Sequence, residues 1–248
     1  MTILTGFHAI EEYIRSITNP KSVTLFYSKP GPRVKKILSL ASEMKIDTQE
    51  ASSTLLDEKT ANLSEQAREH RGLVLQINKE ESPNNEISLD LFLANNNSEK
   101  SIVVILDSVT DPHNVGAIFR SCDQFGANLV ILPLNGSAKN SDIISRSSAG
   151  AYTWVPFSVV NNLVRAVTKL KEAGFWIYGA DARGESLSTV KFPNKTAIIM
   201  GSEGNGIARL LKENCDSMLS IPTTGKVDSL NVSVAAGIFL YEISKSLR

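Results

Sequence analysis

The sequence predicts an α/β fold divided into two domains. The chain has 248 residues, which at about 150 residues per domain indicates one or two domains. Hydrophobic residues make up 42% of the chain and charged residues 21%, the balance of a protein with a well-filled core. Helical and strand patterns alternate along the chain, with one unpatterned polar interruption. Together these observations exclude a disordered, collagen-like or disulfide-stapled chain.

The polar interruption separates the two predicted domains. Residues 79–98 contain Pro83, several asparagines and acidic residues, and only a brief apolar cluster, a composition typical of a linker. We therefore expect an N-terminal domain at residues 1–78 and a C-terminal domain at residues 99–248. Both lengths are ordinary for a domain.

The N-terminal segment has the pattern of a small α/β domain. Apolar residues at helical spacing predict two helices and short apolar runs predict three strands. The second helix has a basic side formed by Arg33, Lys35 and Lys36, which is either a solvated face or a contact surface for RNA. The predicted helices cover residues 8–17 and 33–41, and the predicted strands cover 23–27, 46–49 and 73–77.

The C-terminal segment predicts a larger, mostly parallel sheet. Strands such as 102–106 are apolar at nearly every position, which indicates burial on both faces of a parallel sheet. Ligands bind beyond the carboxyl ends of such strands, so the segments that follow strands are the candidate sites. The predicted strands are 102–106, 129–132, 175–178, 196–200 and 218–221, and the predicted helices are 115–125, 159–172 and 232–246.

The first candidate segment, residues 107–120, follows strand 102–106. Asn114 is a plausible N-terminal cap of the next helix, and Gly116 allows a ligand or another backbone to approach closely. Arg120 lies two turns inside that helix. The segment is therefore either a capped helix with a surface arginine or part of a functional site.

The second candidate segment, MGSEGNGI at residues 200–207, follows strand 196–200. Gly201, Gly204 and Gly206 are expected to form a loop with exposed backbone N–H groups, which suits an adenosine-bearing cofactor. The order of the glycines matches neither the dinucleotide pattern GxGxxG nor a nucleotide-binding P-loop. Glu203 would repel a triphosphate. A glycine-rich turn without a ligand is the alternative interpretation.

The third candidate segment, residues 220–243, leads into an apolar helix. Ser229 is a possible cap, and the turns that follow are apolar nearly all round, which predicts burial against this domain or against a second subunit. Asn231 lies in this apolar context and needs hydrogen-bond partners. It is either a satisfied core asparagine or a catalytic one.

Charge and cysteine usage exclude several classes of protein. Lys plus Arg and Asp plus Glu each number 26, which argues against a protein that coats nucleic acid non-specifically. Two cysteines 93 residues apart and three histidines provide no metal framework. No basic leader and no run of about 18 apolar residues is present. We expect a cytoplasmic protein without a metal ion and without membrane association.

Taken together, the three segments resemble the SpoU (TrmH) family of SPOUT RNA 2′-O-methyltransferases. The N-terminal stretches at 6–14 and 70–77 resemble the substrate-binding domain of bacterial members that methylate a guanosine of 23S ribosomal RNA. The family patterns NxGxxxR, GxExxG and IP…SLNVS are matched, in that order, by Asn114, Gly116 and Arg120, by Gly201, Glu203 and Gly206, and by Ile221, Pro222 and residues 229–233.

The resemblance implies a fold, a reaction and a set of site residues. The catalytic domain would be trefoil-knotted, would act as a homodimer, and would use S-adenosylmethionine to methylate a guanosine 2′-hydroxyl of 23S rRNA. Arg120 would be central to the reaction. Glu203, Asn231, Asn114 and Ser229 would shape the active site, and the backbone at Gly201, Ile221 and Leu230 would hold the cofactor.

Three other functions are compatible with parts of this pattern. A tRNA 2′-O-methyltransferase of the same family is one, but the separate N-terminal domain favours a ribosomal substrate. A non-catalytic RNA-binding factor for ribosome assembly is another, although it has no need of Arg120, Glu203 and Asn231 together. A nicotinamide-dependent dehydrogenase lacks its GxGxxG pattern and the acidic residue downstream of it.

Overall fold

The computed structural model divides the chain into two compact units. Unit 1 comprises Met1–Asn84 and Asn140–Trp154, and unit 2 comprises Asn85–Lys139 and Val155–Arg248. The structure describes residues 2–17, 19–63, 65, 67–77, 85–138, 141–227 and 229–247.

Unit 1 is a four-stranded mixed sheet with helices. Its strands lie in the order β1-β4-β2-β3, with β2 and β3 parallel and the other neighbours antiparallel. The strands at 23–27 and 73–77 were predicted at these bounds, whereas β1, α3 and α6 were not predicted, since short elements have too little periodicity to detect. The elements are β1 (Thr2–Leu4), α1 (Phe7–Ser16), β2 (Val23–Tyr27), α2 (Pro32–Glu43), β3 (Asp47–Glu50), α3 (Ser53–Thr60), β4 (Leu73–Ile77) and α6 (Ser141–Ser147).

The core of unit 1 lies between the sheet and helices α1 and α2. Ile10 and Ile14 of α1 and Ile37 of α2 are completely buried against Leu25 and Leu75. The apolar positions predicted for both helices therefore face this core. Because these side chains come from one stripe of each helix, the opposite stripe is left for charged residues.

The basic side of α2 is partly neutralised by a buried acid of α1. Glu11 accepts hydrogen bonds from Arg33 at 2.6 Å and from Arg15 at 3.1 Å, and the ammonium of Lys36 lies 3.8 Å away. Burial alone would raise the pKa of Glu11, but the hydrogen bond from Arg15 and the charges of Arg33 and Lys36 outweigh it, so the pKa is lowered. Glu11 is therefore ionised at neutral pH and links α1 to α2 through its ion pairs with Arg33 and Lys36.

We expect Glu11→Gln to lower the free energy of unfolding by about 1 kcal/mol near pH 7. The loss is no larger because the cationic side chains that pair with Glu11 are about half-exposed and remain hydrated. The folded-state pKa lies below the unfolded value of 4.5, so this stabilisation is complete above that value and is lost as the pH falls through the folded pKa. Urea unfolding of the full chain, repeated at descending pH, measures both effects. The exposed neighbour Glu12→Gln is the control; an equal loss in both variants would contradict the prediction.

Unit 2 is built on a six-stranded parallel sheet, which confirms the predicted fold class. The order is β10-β8-β9-β5-β6-β7, and every pairing is parallel. The elements are α4 (Leu89–Asn95), β5 (Ser101–Leu106), α5 (Pro112–Phe125), β6 (Leu129–Pro133), β7 (Phe157–Val160), α7 (Leu163–Glu172), β8 (Trp176–Ser186), β9 (Lys195–Met200), α8 (Arg209–Glu213), β10 (Ser217–Ser220) and α9 (Val232–Leu247).

Two parts of unit 2 differ from the sequence-based expectation. The helix predicted from residue 159 begins at Leu163, because Phe157–Val160 pairs with β6 as strand β7. The strand predicted at 175–178 continues to Ser186 as β8. Both differences arise from pairing with a distant strand, which the local apolar pattern does not contain.

Part of the predicted linker is folded into unit 2. Residues 79–84 lie outside the described residues, but the backbone N–H of Ile87 donates to the carbonyl of Phe157 at 2.8 Å. Leu89 and Phe92 of α4 then enter the core beside Leu163 and Val167. The brief apolar cluster in the polar stretch is thus a packing element.

Helix α9 is buried on one side only within this chain. Ala236, Phe239 and Leu240 are buried, whereas Val234 and Tyr241 are 51% and 50% exposed. The expectation that this helix is covered all round therefore does not hold for a single chain. Across the described residues, no helix combines the length and the apolar character that crossing a bilayer requires.

Candidate active site

A cavity of about 690 Å³ opens beside the middle of β8 and the carboxyl ends of β9 and β10. Its walls are residues 180–183 of β8, the last residues of β9 and β10 and the segments that follow these two strands, and Ala235 and Phe239 of α9 also line it. The volume lies in the range of small-molecule and cofactor sites. This is the edge of the sheet at which ligands of parallel α/β proteins bind.

The loop after β9 is closed on itself and depends on glycine. The N–H of Ser202 donates to the carbonyl of Gly206 at 3.1 Å, and the N–H of Gly206 donates back to the carbonyl of Ser202 at 2.9 Å. A Cβ on Gly201 would lie 2.2 Å from the carbonyl carbon of Gly206. Only glycine at position 201 therefore allows the loop to fold back so tightly along the cavity wall.

Asn114, Glu203 and Asn231 form one hydrogen-bonded group. The Glu203 Oε1 accepts from Asn231 Nδ2 at 2.8 Å and from Asn114 Nδ2 at 3.1 Å. The Nδ2 of Asn231 also donates to Asn114 Oδ1 at 2.9 Å. Because β5 pairs with β9, the segments that follow them are neighbours, and this group joins all three candidate segments.

Both helices are capped by a different residue from the one that the sequence predicted. Asp111, not Asn114, caps α5 by accepting the N–H of His113 at 2.9 Å. Asn231, not Ser229, caps α9, since its Oδ1 accepts from the N–H of Ser233 at 2.9 Å. The caps differ because a capping side chain must stand just outside the first turn, and Asn114 lies inside that turn while Ser229 lies too far before α9.

Asp107, which the sequence analysis did not select, fastens the glycine loop to β5. Its buried carboxylate accepts the N–H of Ala208 at 2.6 Å and the hydroxyl of Ser108 at 3.1 Å. The N–H of Asp107 also donates to the carbonyl of Met200. Asp107 therefore holds both ends of the loop, and its place directly after a buried strand was the available signal.

The resemblance implies S-adenosylmethionine as cofactor, and we expect Asp107→Ala to raise the Kd for its product S-adenosylhomocysteine at least about tenfold, because the N–H of Ala208 loses its hydrogen bond to a charged acceptor. Asp107→Asn keeps an acceptor oxygen at that place and should restore most of the affinity. Calorimetric titration of the two variants measures this. Equal affinities of Asp107→Ala and the wild-type chain would show that Asp107 does not position the loop.

The predicted site residues fall into three groups. Asn114 and Asn231 contact Glu203 but do not line the cavity. Arg120 also lies outside the cavity lining; it is exposed, and its guanidinium has no partner among the residues that the structure describes. The residues that line the cavity are Gly201, Glu203, Ile221, Ser229 and Leu230.

Three charged residues of the cavity wall were missed by the sequence analysis. Asp181 and Arg183 follow the predicted strand at 175–178, and Lys212 belongs to α8. The segment GADARG satisfies the rule that sites follow strands, but it contains no familiar spacing. Its position alone was the signal that could have found it.

Metal and thiol chemistry have no visible centre in the described part of the chain. No group of three or more potential metal ligands occurs there, and both cysteines are free. Burial raises the pKa of the Cys215 thiol to about 11, so this group stays protonated at neutral pH.

Comparison with known families identifies the architecture. Residues 101–241, more than half of the chain, match the model of the SpoU rRNA Methylase family. The chain belongs to the SpoU rRNA methylase family. Residues 3–83 match a second model, described as RNA 2′-O ribose methyltransferase substrate binding. The family expected from the three motifs is thus confirmed.

Two of the proteins similar to this SpoU protein cover nearly its whole length, and a third covers 64% of it. The 23S rRNA (guanosine-2′-O-)-methyltransferase RlmB of Neisseria meningitidis is 39% identical over 241 residues, 96% of this chain and 92% of the relative. The fold is also similar to that of the SpoU methyltransferase AviRb of Streptomyces viridochromogenes, which was solved in complex with AdoMet. The TM-score is 0.72 at 22% identity, and the alignment covers 98% of this chain and 89% of AviRb. A TrmH/SpoU tRNA modifying enzyme of A. aeolicus is 29% identical with a TM-score of 0.55, over 64% of this chain and 83% of that one.

Proposed function

We propose that this SpoU protein transfers a methyl group from S-adenosylmethionine to the 2′-hydroxyl of a guanosine in 23S ribosomal RNA. The observation that carries the proposal is the hydrogen-bonded group of Asn114, Glu203 and Asn231 beside the cavity. It joins the three family motifs at one place. The near full-length similarity to an enzyme named for this reaction supports the choice of substrate.

The cavity suits S-adenosylmethionine in size and in chemistry. Apolar side chains of Leu230 and Phe239 suit an adenosine, and the charged groups of the wall suit an amino-acid tail. The backbone at Gly201, Ile221 and Leu230 would hold the cofactor, since the tight loop at Gly201 brings polar main-chain groups to the wall. When bound, the cofactor supplies an electrophilic methyl group on sulfur.

The residues of this chain then have to position a hydroxyl and stabilise the charge that develops on it. Glu203 is held in place by two amides, and Asn231 fixes the start of α9 beside it. We assign Arg120 the role of anchoring a phosphate or stabilising the developing alkoxide. A guanidinium is always protonated near neutral pH and forms a rigid donor fork, which suits these roles better than that of a base. Ser229 lines the cavity in support.

Further parts of the proposal concern assembly and location. The exposed apolar side chains Val234 and Tyr241 of α9 favour a homodimer in which a second copy covers that helix. We also propose a trefoil knot in the catalytic domain (99–248), an N-terminal RNA-binding domain (1–78), a connecting segment (79–98) whose helix α4 packs on the catalytic domain, and cytoplasmic action without a metal ion or a membrane.

Methyl transfer from labelled S-adenosylmethionine tests the function. The full-length protein is incubated with 23S rRNA and, separately, with bulk tRNA, and the label is mapped after alkaline hydrolysis, which 2′-O-methylation resists. We expect 2′-O-methylguanosine in 23S rRNA. Label in tRNA alone would establish the tRNA enzyme instead. Cofactor binding without label in either RNA would favour the non-catalytic assembly factor.

A further inference from the structure

A bulge in β8 carries two charged side chains into the wall of the cavity. β10 pairs with β8 at Met218↔Gly179 and next at Leu219↔Glu185, so residues 180–184 of β8 have no counterpart in β10. Four of these residues, 180–183, line the cavity. Bulges beside active sites commonly re-aim side chains toward a ligand. This bulge therefore presents Asp181 and Arg183 to whatever fills the cavity.

Asp181 is a fixed anion with free acceptor positions. Its Oδ2 accepts from the ammonium of Lys212 at 2.5 Å, and its Oδ1 accepts the N–H of Arg183 at 3.0 Å. The hydrogen bond from Lys212, followed by that from Arg183, holds the pKa of Asp181 below its usual range. A carboxylate offers about four lone-pair sites, so each oxygen of Asp181 retains capacity for a further donor.

Arg183 forms no ion pair with an acid, although the charge of its guanidinium interacts with that of Asp181. Its side chain is exposed, and its guanidinium has no hydrogen-bond or ion-pair partner among the described residues. The other acid of the wall, Glu203, is already engaged by two asparagine amides. The bulge thus offers an acceptor for a cationic group and, two residues along, a donor for an anionic group.

We propose that Asp181 and Arg183 form the subsite for the amino-acid head of the cofactor, with Asp181 accepting from its ammonium and Arg183 donating to its carboxylate. An α-amino acid carries these two charges on adjacent atoms, which matches the alternation of charge along the bulge. Lys212 keeps Asp181 oriented. This inference rests on the proposed function, because it takes S-adenosylmethionine as the ligand.

Binding of S-adenosylhomocysteine and two of its analogues tests the subsite by calorimetry with the full-length protein. One analogue lacks the α-carboxylate and the other lacks the α-amino group. We expect wild-type protein to bind S-adenosylhomocysteine at least about tenfold more tightly than either analogue, since charge-assisted hydrogen bonds contribute that much. Arg183→Ala should bind S-adenosylhomocysteine no more tightly than the analogue without the carboxylate, but should still prefer it to the analogue without the amine. Asp181→Asn should show the reverse: it should lose the preference over the amine-free analogue and keep the preference over the carboxylate-free one.

The control is Arg209→Ala, which removes an exposed arginine of α8 that does not line the cavity; its affinities should equal those of the wild type. Equal wild-type affinity for all three ligands would overturn the subsite and leave the proposed function standing. Failure to bind S-adenosylhomocysteine would overturn both. An Arg183→Ala protein that loses RNA affinity but keeps the ligand preference would show that Arg183 binds phosphate instead. If Asp181→Asn does not fold, the Arg183→Ala measurement decides.

Discussion

Arg120→Ala is expected to lower methyl transfer at least about 1000-fold, a loss of about 4 kcal/mol of transition-state stabilisation. The guanidinium of Arg120 has no partner among the described residues and does not line the cavity, so neither the fold nor the cofactor site depends on it. The melting temperature and the Kd for S-adenosylhomocysteine should therefore stay at the wild-type values. Single-turnover transfer to 23S rRNA and calorimetric titration give the two readouts.

Arg120→Lys distinguishes a donor fork from a simple positive charge. Lysine keeps the charge but loses the bidentate geometry, and we expect it to recover little of the lost rate. Arg165→Ala, which removes an exposed arginine of helix α7, is the matched control and should transfer methyl groups normally. A rate for Arg120→Ala within about threefold of that for Arg165→Ala would remove Arg120 from the reaction.

Gly201→Ala is expected to abolish cofactor binding, with a rise in the Kd for S-adenosylhomocysteine of at least about 100-fold. The new Cβ would lie 2.2 Å from Gly206 C and 2.4 Å from the backbone nitrogen of Ile207. Neither contact is with a flexible side chain, so the loop itself has to open. Opening breaks the paired hydrogen bonds between Ser202 and Gly206.

Gly225→Ala is the matched control for this change. A Cβ at Gly225 meets nothing within 4 Å, and this position also lies in a loop beside the cavity, so binding should be unchanged. The melting temperature of both variants separates local opening from unfolding of the domain. Wild-type affinity in Gly201→Ala would mean that the closed loop is not part of the cofactor site.

Elements whose residues are buried along their whole length were predicted from the sequence, whereas elements that depend on pairing with a distant strand were not. Strand β5 was predicted within one residue, because six consecutive buried positions leave an apolar run that no exposed element has. Residues 159 and 160 were predicted as the start of a helix, but they belong to strand β7, which pairs with β6. The bulge at 180–184 left no trace in the sequence, since a bulge is defined only by the strand beside it.

The sequence by itself determined the α/β class, the parallel sheet, the glycine-rich loop after a buried strand and the three motifs of the SpoU family. These features are local, because periodicity and motif spacing are contained in a few consecutive residues. Only the tertiary structure decided that Asn114 and Asn231 meet Glu203, that Asp107 holds the loop, and that Asp181 and Arg183 face the cavity. These contacts join residues up to 117 positions apart in the sequence. The physical reason is the order of the strands, because β5 lies beside β9 and β8 lies beside β10. The segments that carry these side chains therefore become neighbours only when the sheet assembles.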